Sequence, residues 1–211
     1  MIEGTAAAIS RSEDEVGSLA NPAEWEVNAA LSLEGLSVQQ LRQLWPARDT
    51  DGARKWVAAN MEEGQISNGR FRLAIPAGFF GSGAPLPKEA LDLTFDLNGG
   101  VAHVFRPLPP LTNAIGRGHL TARSFRMSGI AGDIDNLSMT QGSFAINDFS
   151  VKGGPAEIAL TLSGDLAPMM HFLNKDPFGY PGKAGLDPDD FSGKAIANAM
   201  ISVPLTKSVA F

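Results

Sequence analysis

The side chains able to do chemistry are few and scattered along this chain. There are three histidines, His103, His119 and His171, and no cysteine. None of the three stands in an H-E-x-x-H or H-x-H spacing, so they do not assemble a zinc ligand set. His103 and His119 fall in strand-like patterns and read as surface or half-buried residues. His171 sits in a short apolar helical segment, where ordinary packing accounts for it. The lack of cysteine removes thiolate catalysis, disulfides and thiolate metal sites, and decides no compartment. Acidic residues gather at Glu13-Asp14-Glu15, Glu62-Glu63 and Asp187 to Asp190. The first two read as solvated faces and the third as a helix cap. Gly132-Asp133-Ile134-Asp135-Asn136 is a faint calcium-loop pattern that fits a turn between strands better. Asp92 and Asp96 share a strand face, but that spacing separates them by about 13 Å, too far for a glycosidase pair. Gly116-Arg117-Gly118 lacks the strand–loop–helix setting and the Walker lysine of a phosphate loop. Ser143 and the other serines lack a nucleophile elbow. With no acid–base, nucleophilic or metal constellation, the chain reads as a non-enzyme that needs no cofactor.

What remains to be explained is the framework. The 211 residues are 44% hydrophobic and 19% charged, with 23 glycines and 14 prolines. That is enough chain for a sizeable core, and enough turn residues to favour short strands over long helices. A net charge of -6 with no basic stripe excludes nucleic acid as a partner. It also disfavours broad electrostatic docking on an anionic bilayer. The first residues carry no signal-peptide pattern, and no run approaches the length of a membrane-spanning helix.

Residues 1–22 read as a flexible leader or edge strand, and 23–211 as one β domain. Trp25 to Leu33 alternates as a half-buried strand. Ser37-Val38-Gln39-Gln40 is a capping-box pattern, which predicts a helix over about 37–45, closed by Pro46. A second helix is expected over about 51–62, with Trp56, Val57 and Met61 on one stripe and Gly64 as its C-cap. A third, over about 166–174, follows a cap at Asp165, and Asp187-Pro188 repeats that logic for one turn. Trp25, Trp45 and Trp56 are expected to dock the N-terminal helices on the sheet.

Strand patterns dominate the remainder. Phe71, Leu73 and Ile75 alternate with polar or small residues, and Leu91, Leu93, Phe95 and Leu97 alternate with Asp92, Thr94 and Asp96. Gly99-Gly100 reads as a turn, and Pro107 to Pro110 as a loop or edge. Further runs at 118–123, 125–130, 133–139, 143–149, 156–163 and 195–205 recur at meander spacing. The fold class expected is mainly β, a sheet of about nine antiparallel strands with a few short helices. The apolar positions fit either a closed barrel or sandwich, or an open, curved groove.

Two stretches resemble a known family. Leu44-Trp45-Pro46-Ala47-Arg48, Ala53-Arg54-Lys55-Trp56-Val57-Ala58-Ala59-Asn60 and Gly64 to Leu73 resemble the opening of a domain in AsmA-like (YhdP/TamB-type) envelope proteins of Gram-negative bacteria. Gly154 to Gly164, Leu186-Asp187-Pro188 and Ser192-Gly193-Lys194-Ala195 are similar to its later part, and Leu108-Pro109-Pro110-Leu111 with Gly116 and Gly118 to its middle. The resemblance spans about residues 25 to 205 and rests on structural punctuation. It implies an open, half-barrel β-groove in the periplasm, part of a protein anchored in the inner membrane by a helix absent here. The implied role is phospholipid transport between inner and outer membranes, and outer-membrane integrity. The implied partners are phospholipid, or another acyl-chain lipid, and the remainder of the parent protein. On this reading the chain is a partial piece, whose first and last strands invite edge-strand self-association.

The lipid-groove reading assigns one continuous apolar surface to Phe71, Leu73, Leu91, Leu93, Phe95, Phe144, Ile146, Ile158 and Leu160. Each methylene kept from water is worth about 0.8 kcal/mol, so a diacyl lipid needs a continuous apolar path. Two rivals stay open: a non-catalytic structural or protein-interaction module with a closed core, and a carbohydrate-binding β-domain. The single tyrosine, Tyr180, counts against the last.

Overall fold

The computed structural model describes residues 3–6, 24–44, 57–80, 82–104 and 106–205. Ten strands form one sheet: β1 (Glu3–Ala6), β2 (Val27–Leu33), β3 (Leu36–Ser37), β4 (Met61–Ile75), β5 (Leu91–Ala102), β6 (Leu111–Thr121), β7 (Phe125–Ile134), β8 (Leu137–Ile146), β9 (Pro155–Asp165) and β10 (Lys194–Pro204). Nine follow one path, β1-β2-β4-β5-β6-β7-β8-β9-β10, and the two-residue β3 pairs with β4. Every ladder is antiparallel. The sheet is open: β1 and β10 stand at its two edges and do not close a barrel. The helices are α1 (Val38–Leu44), α2 (Leu166–Asn174) and α3 (Tyr180–Lys183), with a further helical stretch at 57–60.

Local chemistry accounts for the connections. Asp135, at a φ of 56°, and Asn136 form the two-residue loop between β7 and β8, because short polar side chains tolerate the left-handed region. Between β6 and β7 the Thr121 hydroxyl accepts from the Arg123 and Ser124 amides at 3.2 and 3.0 Å. The capping box of α1 forms as its residues dictate. The Gln40 amide donates to Ser37 Oγ at 3.1 Å, and the Ser37 amide donates to Gln40 Oε1 at 2.9 Å. Asp187 accepts from the Asp189 amide at 3.0 Å at the start of the turn Pro188–Asp190. Asp165 occupies the N-cap position of α2 without capping it; its carboxylate takes Lys194 Nζ at 2.7 Å instead.

The strands are longer than expected, and the reason is a line of bulges. Register shifts fall between Ser67 and Arg70 in β4, Leu97 and Gly100 in β5, Thr112 and Arg117 in β6, Met127 and Gly132 in β7, and Met139 and Gln141 in β8. Asn68, Gly99, Asn113 and Gly129 lie on this line with φ values of 50°, 59°, 51° and 60°. A left-handed residue in a strand adds a bulge and bends the strand without ending it. Gly99-Gly100 is therefore not a turn: β5 runs through it from Leu91 to Ala102. The run expected at 133–139 is split by Asp135-Asn136: its start joins the 125–130 run in β7, and its end joins the 143–149 run in β8.

The second helix also ends earlier than expected. Met61 already belongs to β4, and Gly64 lies inside that strand rather than capping the helix. A Cβ on Gly64 would stand 2.9 Å from Leu97 Cδ1 and 3.2 Å from Val38 Cγ2, so the glycine admits the close approach of α1. Trp25 is 47% exposed rather than buried, while Trp45 and Trp56 lie outside the described residues.

The core occupies one end of the apolar face. Under α1, the side chains of Leu36, Val38, Ile66 and Leu97 are buried. Under α2, Leu111, Leu137, Met139 and Leu162 pack with Met169 and Phe172 of the helix.

Candidate functional site: an uncovered apolar face

Beyond the bulge line, the same face continues past α1 and α2; the one-turn helix Lys88–Ala90 lies at that end, and Ala156 and Ile158 are buried there at 0% and 9% exposure. Antiparallel pairing sets partners side by side on one face, so the register gives the geometry directly. One row runs Leu31, Phe71, Leu93, Leu120, Phe125, Ile146, Ala156 and Val203, one residue from each of eight strands. At about 4.8 Å between strands, this row is about 34 Å long. A second row runs Phe95, Gly118, Met127, Phe144, Ile158 and Ile201. Leu73 and Leu91 face each other one step outward on β4 and β5. Two ring contacts fix the surface. Phe125 and Phe144 pack with centroids 6.0 Å apart, and the Phe95 ring fills the hollow over Gly118, where a Cβ would stand 2.2 Å from Phe95 Cζ.

All nine positions expected on the apolar surface do lie on this face. Seven of them, Phe71, Leu73, Leu91, Leu93, Phe95, Phe144 and Ile146, line the uncovered part and are half-buried. Ile158 is buried at 9% exposure, and Leu160 packs against the cluster under α2 instead of lining the open surface. Six further members went unassigned: Leu31, Leu120, Phe125, Met127, Ile201 and Val203. Their strands carry the same alternation, but only the register shows that they complete two unbroken rows.

The opposite face is polar and knitted by cross-strand pairs. Arg117 Nε donates to Asp96 Oδ1 at 2.9 Å, and Asn68 Nδ2 donates to Asp96 Oδ2 at 2.9 Å. These bonds hold the Asp96 carboxyl below its ordinary pKa, and the Arg117 guanidinium is raised in return. His119 Nε2 meets Asp92 Oδ2 at 2.8 Å. Arg126 donates to Asn147 Oδ1 at 3.0 Å, and Asn147 Nδ2 donates to Glu157 Oε2 at 3.1 Å. At the uncovered end, the Ser150 hydroxyl and amide donate to Asp148 Oδ1 and lower its pKa, with Arg123 and Lys88 adding positive charge nearby. The rim there carries both signs: Arg72 and Lys88 lie beside Glu89 and Asp92 around a shallow cleft of about 480 Å³.

The residues weighed for catalysis stay dispersed. His103 pairs with Glu62 at 2.9 Å, His119 with Asp92, and His171 with Asp189 at 2.7 Å, each on a different element. His171 is exposed on α2 rather than packed, contrary to expectation. Asp133 accepts from Asn113 Nδ2, and Asp135 pairs with Lys175, so the Gly132–Asn136 segment serves the hairpin. Among the described residues, no cluster of three or more histidine or acidic side chains is placed to hold a metal. No helix among them is long and apolar enough to cross a membrane.

Comparison with family models, with curated proteins and with solved structures found no match to this chain.

Proposed function

We propose that this chain is a lipid-shielding segment of an AsmA-like envelope protein in the periplasm, contributing to phospholipid transport between the two membranes. The observation that carries this reading is the pair of apolar rows crossing an open sheet beyond the clusters packed under α1 and α2. A soluble protein normally covers an apolar face with a second layer. Here α1 and α2 do so at one end only. Acyl chains suit the rest, because about 0.8 kcal/mol per methylene rewards a long apolar path and asks for no polar pocket. The opposite, hydrogen-bonded polar face would then meet water.

The test is native mass spectrometry with lipid extraction on protein purified from a Gram-negative host without detergent. Co-purified phospholipid is expected for the parent chain and for Thr94→Asp, and its loss is expected for Leu93→Asp. Leu93 lies in the first apolar row, and Thr94 lies on the polar face beside His119. A lipid-free mass from well-folded parent protein, or equal lipid in both variants, removes the reading.

A further inference from the structure

The edge strand β10 combines three features that the apolar trough does not explain. Its ladder with β9 runs through eleven consecutive pairs, from Lys194 with Asp165 to Pro204 with Pro155, without a register shift. The ladders from β4–β5 through β8–β9 all contain shifts. Among the described residues its other side has no strand partner, so alternate backbone N–H and C=O groups along about 36 Å of strand are unmet by the described sheet. On the polar face of the sheet, which elsewhere carries many cross-strand polar pairs, it presents Met200 at 91% exposure and Ile196 at 72%.

Natural edge strands are normally guarded by charge, bulges or shortness. β10 carries one charge, Lys194, already paired with Asp165 at 2.7 Å, and its single proline stands at the terminal position. The opposite edge is different: β1 has four residues.

We propose that β10 pairs antiparallel with β10 of a second copy of this chain, making a two-fold dimer with one continuous sheet. The register that engages all eleven positions centres on Ala199, opposite its own symmetry mate. It sets Lys194 against Pro204, so no like charges meet. On the trough side, Ala195 meets Val203 and Ala197 meets Ile201, small residues against branched ones. On the polar side, Ile196 meets Ser202, Asn198 meets Met200, and the two Met200 side chains reach each other diagonally across the axis. A two-fold axis perpendicular to the sheet keeps both apolar faces on one side, so the uncovered rows of the two copies join end to end.

Contact along about 36 Å of edge in a sheet about 10 Å thick buries about 800 Å² over both partners, the low end of interface sizes. The association is therefore reversible and concentration-dependent rather than obligate. A second copy fits because no like charges meet and a small residue faces a branched one at Ala195–Val203, Ile196–Ser202 and Ala197–Ile201.

Sedimentation equilibrium across roughly 1 to 500 µM, without lipid, tests this apart from the function proposed above. A monomer–dimer equilibrium is expected, weakened at least tenfold in the double variant Ile196→Lys/Met200→Lys, whose circular dichroism and melting stay unchanged because both side chains are exposed. Since the chain has no cysteine, Ala199→Cys should form an intermolecular disulfide on mild oxidation. Ser202→Cys should not, because its mate lies six positions away along the partner strand. A monomer throughout the range overturns the proposal. So does a dimer untouched by the lysines, or a mass that keeps growing as β10 adds to the β1 edge of successive copies.

Discussion

The two ends of the apolar face are built from the same residue types and differ in what lies over them. At one end, Leu137, Met139, Leu162, Met169 and Phe172 are buried between the sheet and α2. At the other, across the bulge line, Phe71, Leu93, Phe125, Phe144 and Ile146 are only half-buried beside their cross-strand neighbours. Stability should come mainly from the first end, since burial is complete there, while the second keeps surface available for a ligand. Apolar pattern alone does not separate the buried end from the half-buried one; the placement of α1 and α2 does.

Substitutions that break this contrast rank by burial. Leu137→Ala should cost about 3 kcal/mol, because Leu137 is 2% exposed and its truncation leaves a cavity. Urea denaturation with an unchanged m-value would check this. Gly118→Ala drives a methyl group into the Phe95 ring and should cost about 2 kcal/mol unless the ring swings away. A crystal structure of that variant would show which happens. Leu93→Ala should cost only about 1 kcal/mol, since a half-buried side chain leaves less cavity than a buried one, yet it should weaken lipid retention more than Leu137→Ala does. Equal destabilisation at Leu93 and Leu137 would mean that the open end is covered in solution.

The smallest effect belongs to the polar face. The folded pKa of Asp96 is depressed, so its bonds to Arg117 and Asn68 stabilise the fold above the ordinary carboxylate range of about 4 and fade as pH falls through the lowered folded value. Arg117→Ala should move the Asp96 pKa upward in a carbon-13 carboxyl NMR titration while hardly changing the melting temperature, because the pair is solvent-screened. A shift at Asp148 in the same variant would show that the two carboxyls share a field. Their separate partners, Ser150 for Asp148 and Arg117 for Asp96, argue for none.

Much of the meander was legible. The period-two run from Leu91 to Leu97 placed β5, the Ser37–Gln40 box placed α1, and the segment after Asp165 gave α2 with its observed bounds, Leu166–Asn174. The glycines and asparagines were read less well. A residue with access to positive φ makes either a turn or a bulge, and its identity does not say which. Gly99 bends β5 where a turn was expected, whereas Asp135 does make one. The choice depends on whether a neighbouring strand keeps pairing on both sides of the residue, which is a long-range fact. Trp25 shows the same limit: an aromatic in an alternating run promises burial, but burial needs a partner on the same face, and Trp25 is 47% exposed.

The sequence by itself determined the strand character, the alternation that makes one face apolar, and the local caps and hairpin loops, because each depends on residues within a few positions of one another. Tertiary structure alone decided that the sheet stays open, that the bulges align across neighbouring strands, and that α1 and α2 lie over one end. It also decided that Phe71, Leu93, Leu120, Phe125 and Ile146 stand in one row. Those outcomes rest on pairing register and on where the chain returns, and register is fixed by contacts between residues far apart in sequence.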